Sequence, residues 1–415
     1  MHDKLSEYFR LGGRAFARAR TARTERPSPA AQREAEQKMR GVTVRWAQER
    51  GRRRLLRQGA QRRAGWMKRA ALGVALTTLL GISLAEAGAA SAAYTPSGFD
   101  FWVDSPVMGP IKSRIFRAAD GNTDRVVYAL DGERAGQDLS GWEINTGVAN
   151  ALTRANINVV MPIGGESSFY MDWNTPSSFL GIPPQAGSSG SSSGSNSLSA
   201  ATGSSSGSGG LQVLDGGPGK SYRYVWDSFI HNDLRNALSS RLGFRNSHNG
   251  VFGLSMGGSA AMTLAAHHPD QFNYAGSYSG YLNISAPGMR EALRAAMIDA
   301  GGYNIDSMAP PWSPKWFYMD PFVFAPMLKA NNTRLWVAAG SGIPGAGDVS
   351  NVMDVIQGSP LEALALLNTR AFQVRMASLG ANNATYDFPA TGVHNWHNWE
   401  TEVDKMIPDM SAHIG

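Results

Sequence analysis

Gly253-Leu254-Ser255-Met256-Gly257 is a G-x-S-x-G pentapeptide, the stretch of this chain whose residue types and spacing most directly permit chemistry. A serine hydroxyl is a weak nucleophile at neutral pH. It needs an adjacent base to take its proton and a third group to orient that base. The flanking glycines allow a tight turn that a Cβ would crowd. Val251-Phe252 reads as a strand before the turn, and the apolar pattern from Ala260 to Ala266 reads as a helix after it. Strand, sharp turn and helix together are the context of a nucleophile elbow, which pushes the serine hydroxyl out of the fold. Without that context the pentapeptide would read as a surface turn.

Around such an elbow the chain order is Ser, then Asp or Glu, then His. His394, in Thr391-Gly392-Val393-His394 after the last strand pattern, stands where the base belongs. Its rival, His397, falls inside the helical pattern Trp396, Trp399, Val403, Met406 and reads as a surface or packing residue. Order alone leaves the acid open among several carboxylates, including Asp320, Asp348, Asp354 and Glu362. An oxyanion hole needs two N–H groups aimed at the developing charge. One is expected from Met256, and the other from the loop opening at Asp131-Gly132-Glu133-Arg134. No metal or other cofactor is expected: His267-His268 lacks ligand spacing.

The elements that must position these residues alternate in type. Arg125–Leu130, Ile157–Pro162, Val251-Phe252, Tyr274–Tyr278, Arg334–Ala339 and Thr385–Phe388 read as strands, and strand-and-turn pattern begins at Phe101. Helical segments lie between most of them. Gly141 to Thr153 is expected to form one crossover helix, and Pro269 to end the helix that follows the elbow. Strands alternating with helices predict an α/β fold with a mostly parallel sheet covered on both faces. Residues 186–210 are almost wholly Ser and Gly and read as a flexible loop within the domain, because they cannot bury enough apolar surface to order themselves.

Charge divides the chain unevenly. Residues 1–69 hold 20 of the 39 Lys+Arg and 6 of the 33 Asp+Glu, a net of +14, which leaves −8 for the remainder. The basic balance thus describes the N-terminus, and the main domain shows no electrostatic footprint for nucleic acid. Met67-Lys68-Arg69, the apolar run 70–85 and Ala90-Ser91-Ala92 together read as a secretory signal. An uncleaved anchor, with residues 1–66 held on the cytoplasmic side, is the alternative, and residues 1–85 would then associate with membrane. Residues 1–66 are either a basic extension or the product of a start assigned upstream of Met67. The chain has no cysteine, so an exported domain must be held by its core. From residue 94 on, roughly 320 residues are enough to bury about 75% of the unfolded chain's surface.

Blocks along the chain resemble the antigen 85-type mycolyltransferases from about Phe99 to the C-terminus. They are Leu130-Asp131-Gly132, Ser140-Gly141-Trp142, Met161-Pro162-Ile163-Gly164-Gly165, Ser167-Ser168-Phe169-Tyr170, Asp172-Trp173, the elbow, His268-Pro269, Asn331-Asn332-Thr333-Arg334, Asp387-Phe388-Pro389 and His394-Asn395-Trp396. The resemblance implies an exported α/β-hydrolase-fold acyltransferase. Such an enzyme moves a mycolyl chain from trehalose monomycolate, through an acyl-serine, to a second trehalose ester or a cell-wall arabinose hydroxyl. It implies Ser255 as nucleophile, Glu362 as acid, His394 as base, the Met256 and Glu133 N–H groups as oxyanion hole, and Asp131, Arg134 and Trp396 around the trehalose. Glu133 departs from the family's usual apolar residue, and Asn283 replaces a carboxylate near the sugar site. The Ser/Gly segment lies where many members have a short disulfide loop. Two other readings stand beside this one: a secreted serine esterase with water as acceptor, and a non-catalytic envelope carbohydrate-binding protein on the same fold.

Overall fold

Val126-Val127-Tyr128-Ala129-Leu130 is buried at every position, as a strand enclosed on both faces must be. Alternation divides its side chains between two cores. Val126, Tyr128 and Leu130 join Met256, Ala260 and Leu264 on one face of the sheet. Val127 and Ala129 join Trp142, Val403 and Met406 on the other. A computed structural model describes this arrangement for residues 98–177, 223–348 and 352–415, and all of them fall within one compact unit, Gly73–Gly415.

The strands are β1 (Phe99–Ser105), β2 (Gly109–Phe116), β3 (Val126–Leu130), β4 (Asn158–Pro162), β5 (Asn249–Leu254), β6 (Phe272–Tyr278), β7 (Arg334–Ala338) and β8 (Ala384–Asp387). Their order across the single sheet is β1-β2-β4-β3-β5-β6-β7-β8. Pairing is antiparallel at β1–β2 and β2–β4 and parallel from β4 through β8. This is the α/β-hydrolase arrangement the sequence predicts. The parallel strands therefore deliver their carboxyl ends to one edge, where open α/β sheets place their sites. Asp131 follows β3, Ser255 follows β5, Ser279 follows β6 and Gly340 lies just beyond β7.

The expected crossover helix Gly141–Thr153 is instead two helices, Gly141–Asn145 and Val148–Arg154. Thr146, in extended conformation, and Gly147 separate them; a β-branched residue followed by glycine is a weak link in a helix. The break is stabilised from outside: the Gly147 N–H donates to Glu400 Oε1 at 2.6 Å. The first helix is tied to β2 by the Arg114 guanidinium, whose Nε and Nη2 each donate to the Glu143 carboxylate at 2.9 Å.

The basic extension 1–66, the signal segment 67–93 and the Ser/Gly loop 186–210 lie outside the described residues. Among the described residues, no helix is long and apolar enough to cross a membrane.

Candidate active site

Ser255 sits between β5 and the elbow helix Met256–His267 with φ 51° and ψ −119°. A non-glycine residue holds such a conformation only where its surroundings over-determine it. Here they do. The Ser255 N–H donates to the Tyr278 carbonyl of β6 at 2.8 Å, and the Ser255 carbonyl accepts from Gly258 and Ser259. A Cβ at Gly253 would come within 2.4 Å of Gly257, and one at Gly257 within 2.4 Å of the Asp131 carbonyl. Both glycines of the pentapeptide are thus required by backbone contact. Met256 begins the helix, so its N–H has no carbonyl one turn behind it and is open to an oxyanion.

Among the described carboxylates that order left open, Glu362 is the one the fold brings to His394. His394 Nδ1 lies 2.8 Å from Glu362 Oε2. The other oxygen, Oε1, accepts from the Ser279 hydroxyl at 2.7 Å and the Gly340 N–H at 2.5 Å. Glu362 is only 1% exposed, and these donors replace the water it has lost. Ser279 in turn accepts from Trp399 Nε1 at 2.9 Å, and the Trp399 ring meets His394 edge-on at 4.9 Å. The His394 N–H donates to the carbonyl of Gly358, one turn before Glu362, at 3.3 Å.

Asp320 and Asp348 are engaged elsewhere. Asp320 caps the helix Pro321–Ala330 and accepts the Ser285 N–H. Asp348 accepts from the side chains of Asn395 and Asn398 at 2.8 and 2.9 Å, fixing the loop that carries His394. The Asp354 side chain lies outside the described residues. His397 is exposed and packs on Gly347.

The loop after β3 is fixed by an unusual backbone. Ser167, Phe169 and Tyr170 all have φ near +50°. Ser167 donates its N–H to the Glu133 carbonyl at 3.0 Å and its hydroxyl to Glu133 Oε1 at 2.6 Å. The Asp131 N–H donates to the Tyr170 hydroxyl at 3.0 Å. Glu133 therefore turns its side chain to Ser167 while its backbone stays in the loop. Burial first, then the nearby Glu166 charge, push its carboxyl up to about 7, against the Ser167 hydrogen bond and the Arg134 charge.

That shift has a testable sign. A carboxyl raised in the folded state binds its proton more tightly there, so stability is fullest below the unfolded value and falls as pH rises towards about 7. The Glu133→Gln protein is expected to lose this decline, at most about 3 kcal/mol on the scale of 1.36 kcal/mol per unit. Its activity should also lose an alkaline decline that the parent shows as Glu133 ionises beside the oxyanion loop. Thermal melts and transfer rates between pH 5 and 9 check both; superimposable profiles for the two proteins would contradict the shift.

Asp131 is buried, and its carboxylate accepts from the Ser140 hydroxyl and the Gly141 N–H, both at 3.1 Å. Burial raises its pKa to about 6 against those hydrogen bonds. Trp396 lies over Gly141, where a Cβ would meet the indole at 2.4 Å, and it packs edge-on to Trp142 at 5.5 Å. Arg134 is half-exposed and pairs with Asp299. These three expected sugar-site residues thus occupy the β3 loop and the start of the C-terminal helix Trp396–Ser411.

His267 stacks on Tyr318. His268 stacks on His231, with ring centroids 3.9 Å apart and planes at 19°, and Asp270 lies alongside, its ligand atom within 4.8 Å of theirs. Sequence spacing does not reveal this cluster. A metal ion binds in the plane of an imidazole, and two stacked planes do not converge on one ion. His268 Nε2 is moreover engaged by Asp227 at 2.5 Å and Asp270 by Arg235 at 2.6 Å.

Sequence reasoning also missed Ser279 and Gly340, which hold the acid, and Ser167 and Tyr170, which hold the β3 loop. Ser167 and Tyr170 fall in one of the resemblance blocks, but no spacing rule marks what they do.

A strained serine at the turn from β5 into a helix, with a carboxylate-bound histidine at the same sheet edge, defines a serine-type esterase site on an α/β-hydrolase fold. The Esterase family model accordingly matches residues 205–410. The chain is 35% identical over 346 residues to the diacylglycerol acyltransferase/mycolyltransferase Ag85C of Mycobacterium avium, covering 82% of this chain and 85% of that protein. It is 34% identical over 369 residues to the diacylglycerol acyltransferase/mycolyltransferase Ag85B of Mycolicibacterium smegmatis, covering 85% and 98%. The crystal structure of Mycobacterium tuberculosis MPT51 (FbpC1) superposes with a TM-score of 0.59 at 30% identity, covering 78% of this chain and all of that one. The chain belongs to the antigen 85 mycolyltransferase family.

Proposed function

We propose that this protein is an exported mycolyltransferase that takes its acyl chain from trehalose monomycolate through an ester on Ser255. His394 takes the Ser255 proton as the oxygen attacks the donor ester. Glu362 orients His394 through Nδ1 and stabilises the imidazolium. The Met256 and Glu133 N–H groups hold the oxyanion. The trehalose leaves with the proton from His394. A second trehalose monomycolate, or an arabinose hydroxyl of the wall polymer, then attacks the acyl-serine, with His394 again taking the proton.

The observation that carries this reading is the 2.8 Å hydrogen bond between His394 and Glu362, at the sheet edge where Ser255 is held in its strained turn. The 34–35% identity to proteins named as mycolyltransferases supports this choice of substrate class. Asp131, Arg134 and Trp396 are proposed to line the sugar pocket, because carboxylate, guanidinium and indole suit sugar hydroxyls and a sugar face. Export is proposed to depend on residues 67–93, on the strength of their basic, apolar and small-residue order.

Incubating the purified protein with trehalose monomycolate tests the reaction. Trehalose dimycolate is the expected product. The Esterase family match favours one second reading, hydrolysis with water as acceptor. Free mycolic acid with no diester would establish that reading in place of transfer.

A further inference from the structure

One loop reaches both the acid and the base. It runs from Gly340 to Asp348 after β7 and lies against the loop that carries His394 after β8. The Gly392 N–H donates to the Ile343 carbonyl at 2.7 Å, and the Gly392 carbonyl accepts the Gly342 N–H at 2.9 Å. The Ser341 hydroxyl donates to the Ala390 carbonyl at 2.8 Å. The two backbones approach closely: a Cβ at Gly340 would come within 2.6 Å of the Gly392 carbonyl oxygen. At its first residue the loop serves the acid, because the Gly340 N–H donates to Glu362 Oε1.

Its last residue serves the base. Asp348 is buried, and donors meet both of its carboxylate oxygens. Oδ2 accepts the Gly345 N–H at 2.7 Å, and the Asp348 N–H donates to the Gly345 carbonyl at 3.1 Å, so the carboxylate is held on its own turn. Oδ1 accepts from Asn395 Nδ2 at 2.8 Å and from Asn398 Nδ2 at 2.9 Å. Asn395 directly follows His394, and its Oδ1 accepts the Asn398 N–H at 3.1 Å, capping the C-terminal helix. Asn398 Nδ2 also reaches the carbonyl of Val393, which directly precedes His394, at 2.9 Å. Both chain neighbours of His394 are thus tied to one carboxylate.

We propose that Asp348 is a positioning residue for acyl transfer: through Asn395 and Asn398 it fixes the backbone on either side of His394, and so keeps Nδ1 on Glu362 and Nε2 aimed at Ser255. The proposal rests on His394 being the base. Glu362 constrains one ring nitrogen of His394, and the placement of the backbone decides where the other points. A small misplacement of a reacting group costs rate out of proportion to its size. The position calls for a carboxylate because three N–H groups converge on it from two sides. An amide has one acceptor atom, so in Asp348→Asn the NH2 opposes either the Gly345 N–H or the two asparagine side chains. The shape of the residue is kept while the tie to the His394 loop, or to its own turn, is lost. Gly340 at the head of the loop and Asp348 at its foot together set the acid and the base in register.

Asp348→Asn, Asn398→Ala and His394→Gln, compared with the parent on the full chain, test this with trehalose monomycolate as donor. Asp348→Asn is expected to lower kcat by roughly 10- to 100-fold, the scale of a misplaced reacting group, with KM unchanged and a melting temperature within a few degrees of the parent's. Proton NMR supplies a readout that packing alone would not move. The Nδ1 proton shared by His394 and Glu362 is expected to give a low-field resonance, identified by its loss in His394→Gln. That resonance should broaden or move upfield in Asp348→Asn. Asn398→Ala cuts the relay to Val393 while leaving Asp348 on its turn, so it tests the same claim even if Asp348→Asn does not fold; its kcat should fall in the same direction. A parent-like kcat in either folded variant overturns the role of Asp348. So does a loss of rate that comes with a raised KM or a collapsed melting temperature while the resonance stays in place. Transfer by His394→Gln at the parent's rate overturns the underlying reading of the base instead.

Discussion

Ser255→Ala is expected to lower the rate of acyl transfer by roughly 10⁵- to 10⁶-fold while leaving the fold intact. The scale follows from hydrolases in which loss of the nucleophile removes covalent catalysis and leaves only what the oxyanion hole and binding supply. The turn does not depend on the hydroxyl. It is held by the Ser255 N–H and carbonyl and by the close approach of Gly253 and Gly257 to neighbouring backbone. Alanine inherits the same φ with a smaller side chain, so the variant should melt within a few degrees of the parent. Transfer rates with trehalose monomycolate, alongside a thermal melt, check the prediction. A Ser255→Ala protein as active as the parent would contradict it and favour the reading of a non-catalytic carbohydrate-binding protein.

Glu362→Gln should lower kcat by roughly 10³- to 10⁴-fold, as loss of the orienting carboxylate does in other serine triads. The reason is the number of donors converging on this side chain. His394 Nδ1 faces one oxygen, and the Ser279 hydroxyl and the Gly340 N–H face the other at 2.7 and 2.5 Å. A carboxylate accepts from all three, whereas an amide has only one acceptor atom. If the amide oxygen faces His394, its NH2 opposes the fixed Gly340 N–H. If it faces Gly340, the NH2 confronts Nδ1, and the histidine must move its proton to Nε2, the nitrogen that has to accept from Ser255. Either arrangement destroys the base or strains the acid's socket. Rates measured across pH 5 to 9 separate the two causes, since a wrong tautomer is not rescued by raising pH. A loss of less than threefold would exclude Glu362 from the orienting role.

Much of the fold and part of the site are legible in the sequence. The parallel strands announce themselves because runs such as Val126–Leu130 are apolar on both faces. The elbow does so because its glycines answer a steric demand that the structure shows at 2.4 Å. His394 follows from chain order. The acid does not, because Asp320, Asp348 and Glu362 are all buried carboxylates and differ only in which distant donors the fold brings to them. Residues that act through long-range hydrogen bonds leave no local trace. Ser279 lies 83 positions from Glu362, and Ser167 lies 34 from Glu133. The break at Thr146-Gly147 is hidden for a related reason. Its stabilising partner, Glu400, is 253 residues away, so periodicity runs on through a helix that tertiary contacts interrupt. Glu133 looks misplaced beside an oxyanion when read locally. The fold turns its side chain to Ser167 and raises its pKa to about 7, which softens the conflict at neutral pH.

The central claim is that the acyl chain passes through an ester on Ser255. Mass spectrometry of the protein quenched shortly after mixing with trehalose monomycolate measures this directly. The account predicts a single mycolyl adduct on the peptide containing Ser255, formed before the diester and discharged as the diester appears. Diester formation with no adduct on that peptide, or with the adduct on another residue, would contradict it.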